Sequence, residues 1–268
     1  MDSDDQARFG GIGRLFGVEG LRRLQAAHVC VIGVGGVGSW AVEALARSGL
    51  GALTIVDADD VCTTNINRQL PALTDTVGRP KVAVLEERVR QIAPNCMLTA
   101  VADFYTKANA DELLATNFDF VMDAVDRMST KAHIIDSCRE RGLNVLTCGA
   151  AGGRVDPAQI RIADLGFAGH DELLRQVRKQ LRREHGWEPG IHKHAQPLGV
   201  PCVFSPERPA YPHADGTCSA EREAGTSLRM DCASGFGAAT FVTGVFGFTA
   251  AGEIVRRIAG TVSRVETA

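Results

Sequence analysis

The chain has 268 residues, which at about 150 residues per domain is room for one large or two small domains and an ample core. Its 45% apolar and 23% charged residues match an ordinary folded protein and exclude disorder, collagen and coiled coil. The 29 basic and 32 acidic side chains leave a net charge of −3, so any nucleic-acid contact has to be a local basic patch.

In chain order, His28-Val-Cys-Val-Ile-Gly33 is a β-branched run ending in glycine and predicts a strand, followed by a helix over 39–48 that Gly49 stops. Ala52–Val56 predicts the next strand. Its unbroken apolar character, without alternation, implies burial on both faces, as in a parallel sheet. Pro80 opens a helix over 81–93, closed before Pro94. A strand at 97–101, a helix at 110–116 and a strand at 118–122 follow. Ser129 is placed to cap a helix over 130–141, and a strand over 143–147 comes after Gly142. Strands and helices of these lengths in alternation predict an α/β fold, Rossmann-like, with a doubly wound, mainly parallel sheet through about residue 150.

Past Gly149-Ala-Ala-Gly-Gly153 the pattern changes. A short strand is expected at 159–163, a charged helix near 170–185, and a partly mobile loop in the Gly/Pro/His-rich stretch 186–217. The expected organisation is one domain over 1–268, with a nucleotide-binding core in 1–165 and a C-terminal α/β extension in 166–268. Residues 232–252 carry no charge and are long enough for a bilayer span, yet Gly235, Gly237, Gly244, Gly247 and Gly252 suit a helix packed closely inside protein. The eight cysteines include no CxxC pair, and the acidic amino terminus has no secretory pattern, so the expectation is a reduced, cytoplasmic chain without a structural zinc site.

Gly33-Val-Gly35-Gly36-Val-Gly38 lies between the first strand and its helix. There glycines allow a tight turn, and backbone N–H groups at a helix start face a phosphate. Asp57 ends the next strand nineteen positions beyond Gly38, where a carboxylate can accept from ribose hydroxyls. These features predict a nucleotide site without choosing between NAD and ATP. Asp59, Asn65, Arg68, Gln69 and Lys81, with Asp126 closing Asp123-Ala-Val-Asp126, tip the choice to ATP. Cations can neutralise a triphosphate and Asp126 can hold Mg²⁺, whereas a dehydrogenase has no need of this set. In the last third Arg175, Arg178, Lys179 and Arg182 recur at helical spacing and put positive charge on one face. A solvated face balanced by Asp171, Glu172 and Glu184 is the plain alternative to a ligand contact.

Together, Gly33–Gly38, Asp57-Ala-Asp59, Asn65-Ile-Asn-Arg-Gln69, Val77-Gly-Arg-Pro-Lys81 and Asp123-Ala-Val-Asp126 resemble the adenylation domain of the ubiquitin-activating superfamily over roughly residues 8–165. Arg8-Phe-Gly-Gly, Gly149–Gly153, Cys202-Val-Phe-Ser205 and Arg229–Ala239 extend the likeness to its tRNA threonylcarbamoyladenosine dehydratase branch. The resemblance implies ATP-dependent cyclisation of N6-threonylcarbamoyladenosine at tRNA position 37 through an acyl-adenylate. It implies that Gly33, Gly35, Gly36 and Gly38 line the nucleotide and that Asp57 holds the ribose. Asp59, Asn65 and Gln69 contribute further contacts, Arg68 and Lys81 meet phosphates, and Asp126 serves Mg²⁺ and the triphosphate.

Arg175, Arg178, Lys179 and Arg182 then become tRNA contacts. A homodimer, with Arg14 reaching the partner's site, and cysteine-desulfurase sulfur-relay proteins complete the implied partners. Activation of a sulfur-carrier protein ending in Gly-Gly is the second reading, weakened by the missing CxxC pairs, and an NAD-dependent oxidoreductase or non-catalytic nucleotide-binding module the third. Cys232 adjoins the apolar glycine-rich segment and reads as a small buried residue, and neither it nor Cys202 reads as a nucleophile.

Overall fold

The computed structural model describes residues 3–187, 197–213, 215–221 and 236–260. Its elements run α1 (Ser3–Ala26), β1 (His28–Ile32), α2 (Gly38–Arg47), β2 (Ala52–Val56), α3 (Lys81–Ile92), β3 (Met97–Val101), α4 (Ala110–Leu113), β4 (Phe120–Asp123), α5 (Met128–Glu140) and β5 (Val145–Cys148). They continue with β6 (Arg161–Asp164), α6 (Glu172–Glu184), β7 (Pro201–Phe204), β8 (Tyr211–Pro212), β9 (Cys218–Ser219) and α7 (Thr240–Ala259). One seven-stranded sheet has the order β3-β2-β1-β4-β5-β7-β6, parallel throughout except for β6, and β8 and β9 form a small separate ribbon.

The sheet is buried on both faces, which is why β1, β2 and β4 read as continuous apolar runs. Leu24 of α1, Leu45 of α2, Leu85 of α3 and Phe246 of α7 fill one face. Ile134 of α5 and Leu174, Val177 and Leu181 of α6 fill the other. The parallel doubly wound sheet expected through residue 150 is present.

Several expectations are corrected. The stretch 186–217 is not simply a loop: β7 lies within it and pairs parallel to β5 and antiparallel to β6, deep in the sheet. Residues 188–196 lie outside the described residues. Ser129 sits inside α5 rather than capping it, because the helix starts two residues early, after Arg127. The helix at 110 is a single turn, and α1, which no sequence pattern indicated, covers one flank of the core, broken at Gly17 where φ is +79°.

The uncharged segment 232–252 becomes the first two thirds of α7, with residues 232–235 outside the described residues. No described helix is long and apolar enough to cross a membrane. The glycines serve close packing instead. A Cβ at Gly247 would fall 2.5 Å from the Val37 carbonyl oxygen and 2.8 Å from the Trp40 Cβ, so α7 lies directly on the start of α2.

Candidate active site

Strand order reverses direction between β1 and β4, and in open α/β sheets the crevice beyond the strand ends at such a point takes ligands. The loops that follow β1, β2 and β4 meet there. Gly33 has φ +87°, and a Cβ on it would lie 3.1 Å from the backbone of Ala124. At Gly38 a Cβ would sit 1.9 Å from the Gly33 carbonyl oxygen, a position no side chain can occupy. The glycine loop is therefore folded tightly on itself and on the chain leaving β4. Gly35 is tethered through its carbonyl oxygen, which accepts from the buried Ser39 Oγ at 2.6 Å; that oxygen in turn accepts from the Leu70 N–H at 3.2 Å.

Asp57, at the end of β2, supports this loop from the side. Its Oδ2 accepts from the Val34 N–H at 2.8 Å and its Oδ1 from the Asp59 N–H at 2.9 Å, leaving a second lone pair on each oxygen for a ligand hydroxyl. Asp59 Oδ2 lies 2.7 Å from Lys81 Nζ. Lys81 is almost fully buried, with 5% of its side chain exposed against 53% for Asp59. The ammonium is thus buried while its counter-ion stays largely in water. The Lys81 N–H also donates to the Asp59 carbonyl at 3.0 Å, so the start of α3 is joined to the end of the β2 loop.

The segment after β2 brings in the amides and the second cation. Asn65 is buried and its Oδ1 accepts from the Cys62 N–H, which folds the turn that carries Arg68 and Gln69. Gln69 Oε1 is buried and finds no donor among the described residues, while Cβ of Gly35, if present, would be 3.7 Å from Gln69 Nε2. A buried acceptor of this kind is unusual in a folded protein and fits a ligand donor. Arg68 is half-buried. Its Nη1 donates to the Thr64 carbonyl and to Asn67 Oδ1, and no carboxylate pairs with it among the described residues. Its carbonyl oxygen accepts from Trp40 Nε1 and from Thr243 Oγ1, both at 3.1 Å. Trp40 and Thr243 were not singled out from the sequence, and both fix the arginine from outside the motif.

Beyond β4, Asp126 is exposed on the loop that follows Ala124, with no hydrogen-bond or ion-pair partner among the described residues. Asp123, at the strand end, is fully buried and paired with Lys131 of α5 at 2.9 Å. Lys131 also escaped notice in the sequence, although it falls on the buried stripe with Ile134, Ile135 and Cys138, where a lysine is anomalous. Among the described residues no group of three His, Cys, Asp or Glu side chains could hold a metal alone. A single carboxylate such as Asp126 suits Mg²⁺, which ordinarily binds one or two carboxylates and completes its shell with phosphates and water.

The basic helix is only partly as expected. Leu174, Val177 and Leu181 of α6 pack on the sheet face opposite α2. Arg175 is paired with Glu172, and Arg178 donates from Nη1 to the carbonyls of Leu165 and Ala168 at 3.1 and 2.8 Å. Burial pushes the Arg178 guanidinium below its ordinary pKa. It is a cap for the preceding turn, not a free cation. Lys179 and Arg182 are exposed and have no acidic partner among the described residues. Cys202 is fully buried and its thiol is pushed up to about 12 by burial, which leaves it no nucleophilic role; Cys232 lies outside the described residues.

A doubly wound sheet with a glycine loop, strand-end carboxylate and facing cations at its switch point defines a nucleotide-binding α/β protein. Residues 11–267 match the ThiF family, and the chain belongs to that family. It is 46% identical to the tRNA threonylcarbamoyladenosine dehydratase of Escherichia coli, over 96% of this chain and 95% of that one. It is 42% identical to the Bacillus subtilis protein of the same name, over 72% of each. Among solved structures it superposes on the Escherichia coli dehydratase in complex with ATP with a TM-score of 0.84 at 41% identity, covering 96% of both chains.

Proposed function

We propose that the chain is an ATP-dependent dehydratase that closes the threonylcarbamoyl group of N6-threonylcarbamoyladenosine, at tRNA position 37, to its cyclic form. The observation that carries this reading is the full-length likeness to the Escherichia coli enzyme, whose structure has been solved with ATP. The cradle left by Gly33, Gly35, Gly36 and Gly38, too tight for any Cβ at Gly38, supports it.

In this reading the threonine carboxylate attacks the α-phosphate of ATP, forming a carboxyl–phosphate bond as pyrophosphate leaves. The neighbouring carbamoyl group then attacks the acyl carbon and AMP departs, so one water is lost overall. The carboxylate is already ionised at neutral pH and needs no base. Catalysis therefore rests on alignment and on stabilising charge at phosphorus. Backbone N–H groups of the glycine loop face the phosphates, Asp57 takes the ribose hydroxyls, and Gln69 Oε1 accepts from the nucleotide. Lys81 and Arg68 offset the growing negative charge. Asp126 would hold Mg²⁺, whose chemistry is to neutralise the leaving pyrophosphate.

Lys179 and Arg182, with Arg175 beside them, meet tRNA phosphates. The enzyme works in the cytoplasm as a homodimer, with the exposed Arg14 of α1 offered to the partner's site. The test is mass spectrometry of nucleosides from threonylcarbamoylated tRNA incubated with protein, Mg²⁺ and ATP. A nucleoside lighter by one water, formed only with ATP, is expected; an unchanged nucleoside with folded protein and verified tRNA overturns the reading.

A further inference from the structure

Asp123 and Lys131 are 0% exposed, and their Oδ2–Nζ separation is 2.9 Å. A buried ion pair of this kind adds little stability over an apolar pair of the same size, because both charges lose their water. What it can supply is a fixed geometry. Its contacts converge on one short stretch. Lys131 Nζ donates to the Val125 carbonyl at 2.9 Å, and Asp123 Oδ1 accepts from the Val125 N–H at 3.2 Å. Thr147 Oγ1, from the neighbouring strand β5, donates to Asp123 Oδ2 at 2.6 Å and holds the carboxylate from the far side.

Both backbone polar groups of Val125 are thereby held, one residue before Asp126. On the other side Ala124 is pressed against the glycine loop, its backbone 3.1 Å from where a Gly33 Cβ would be and its Cβ 3.3 Å from that of Gly38. Asp126 itself is exposed and makes no bond of its own among the described residues. Its position is set by what holds Ala124 and Val125 before it and, after it, by Arg127, whose carbonyl accepts from the Lys131 N–H at 3.0 Å at the start of α5. Lys131 cannot reach a substrate, since none of it is exposed.

We infer that Lys131 is a positioning residue for the reaction: paired with Asp123, it clamps Val125 so that the Asp126 carboxylate stays fixed opposite the glycine loop. This rests on the adenylation reading of the site. Lys131→Met alone strands a buried carboxylate and can unfold the protein, so the decisive variant is Asp123→Asn combined with Lys131→Met, which removes both charges together. ATP-dependent turnover, melting temperature and backbone amide exchange at residues 124–127 are measured for this variant, for Asp126→Ala and for the two combined.

A residue that acts through another shows a non-additive effect. The charge-free pair should lower kcat by about tenfold or more when Asp126 is present and by less than about twofold when Asp126 is already alanine. Exchange at residues 124–127 should rise without a matching fall in melting temperature. Losses that multiply in the two backgrounds, or wild-type kcat with unchanged exchange at 124–127 in the folded variant, overturn the inference. A wild-type protein that makes no ATP-dependent product overturns instead the adenylation reading on which it rests.

Discussion

Asp57→Asn separates two duties carried by one carboxylate. In the wild type each oxygen receives a backbone N–H, from Val34 at 2.8 Å and from Asp59 at 2.9 Å, so the side chain acts purely as an acceptor. Asparagine has one acceptor oxygen and one NH₂ donor, so one of those N–H groups faces another donor and loses its partner. A hydrogen bond to a charged group contributes about 1.5–3 kcal/mol. At about 2–4 °C per kcal/mol for a chain near this size, the melting temperature of the nucleotide-free protein should fall by about 3–12 °C. The ligand duty comes on top of that. Loss of a charge-assisted bond to ribose should weaken ATP by about 10- to 150-fold, measured by calorimetric titration on the folded variant well below its melting point. An Asp57→Asn protein that melts and binds ATP like the wild type would refute both the supporting role seen in the structure and the ribose assignment.

Lys81→Met and Arg68→Ala should each cut ATP-dependent turnover by about 10- to 150-fold while leaving the fold intact by circular dichroism, since Asp59 stays largely in water when its partner is removed. Arg178→Ala should lower the melting temperature without changing the salt dependence of tRNA binding. Lys179→Glu with Arg182→Glu should do the reverse, with the slope of log K against log salt falling by about 1 for each phosphate no longer neutralised. Gly247→Leu drives a side chain into Val37 and Trp40 and should cost about 1–3 kcal/mol or more in urea unfolding.

Glu43 supplies the pH test. Burial pushes its carboxyl up, but hydrogen bonds from Arg88 and Arg47 outweigh that and hold it below its ordinary 4.5. Its stabilisation is therefore complete above about pH 4.5 and is lost as the pH falls below that value through the folded pKa. Glu43→Gln should flatten the melting profile in that acid range.

The elements from β1 to β5 were legible because β1, β2, β4 and β5 are apolar runs buried on both faces and α2, α3 and α5 each have a glycine or proline near an end. α1 was not, since Gly10, Gly11, Gly13, Gly17 and Gly20 oppose a helix. It forms because Phe9, Leu21 and Leu24 are buried by the rest of the fold. β7 was hidden for a different reason: four residues that begin with Pro201 carry no local pattern, and only the paired edges of β5 and β6 on either side make them a strand. In the site, glycines and Asp57 announce themselves because their chemistry is local to one turn. The basic helix misled at Arg178, because spacing shows which residues share a face and not which carbonyls nearby need a donor. Lys131 could have been found by asking why a lysine sits on an apolar stripe.

The bond from Thr243 to the Arg68 carbonyl joins residues 175 positions apart, and Gly247 seats the same helix on the first turn after the glycine loop. During synthesis the chain emerges from its amino end, so β1, α2 and β2 exist long before α7 is made. Until then Arg68 lacks one of its two fixings and the apolar surface of α2 that Val242, Phe246 and Ala250 cover is open to water. A nascent chain stalled before residue 240 should engage a chaperone there and bind ATP poorly, however well its central strands have paired. On the proposed reading, nucleotide binding is accordingly a report that translation has run through α7.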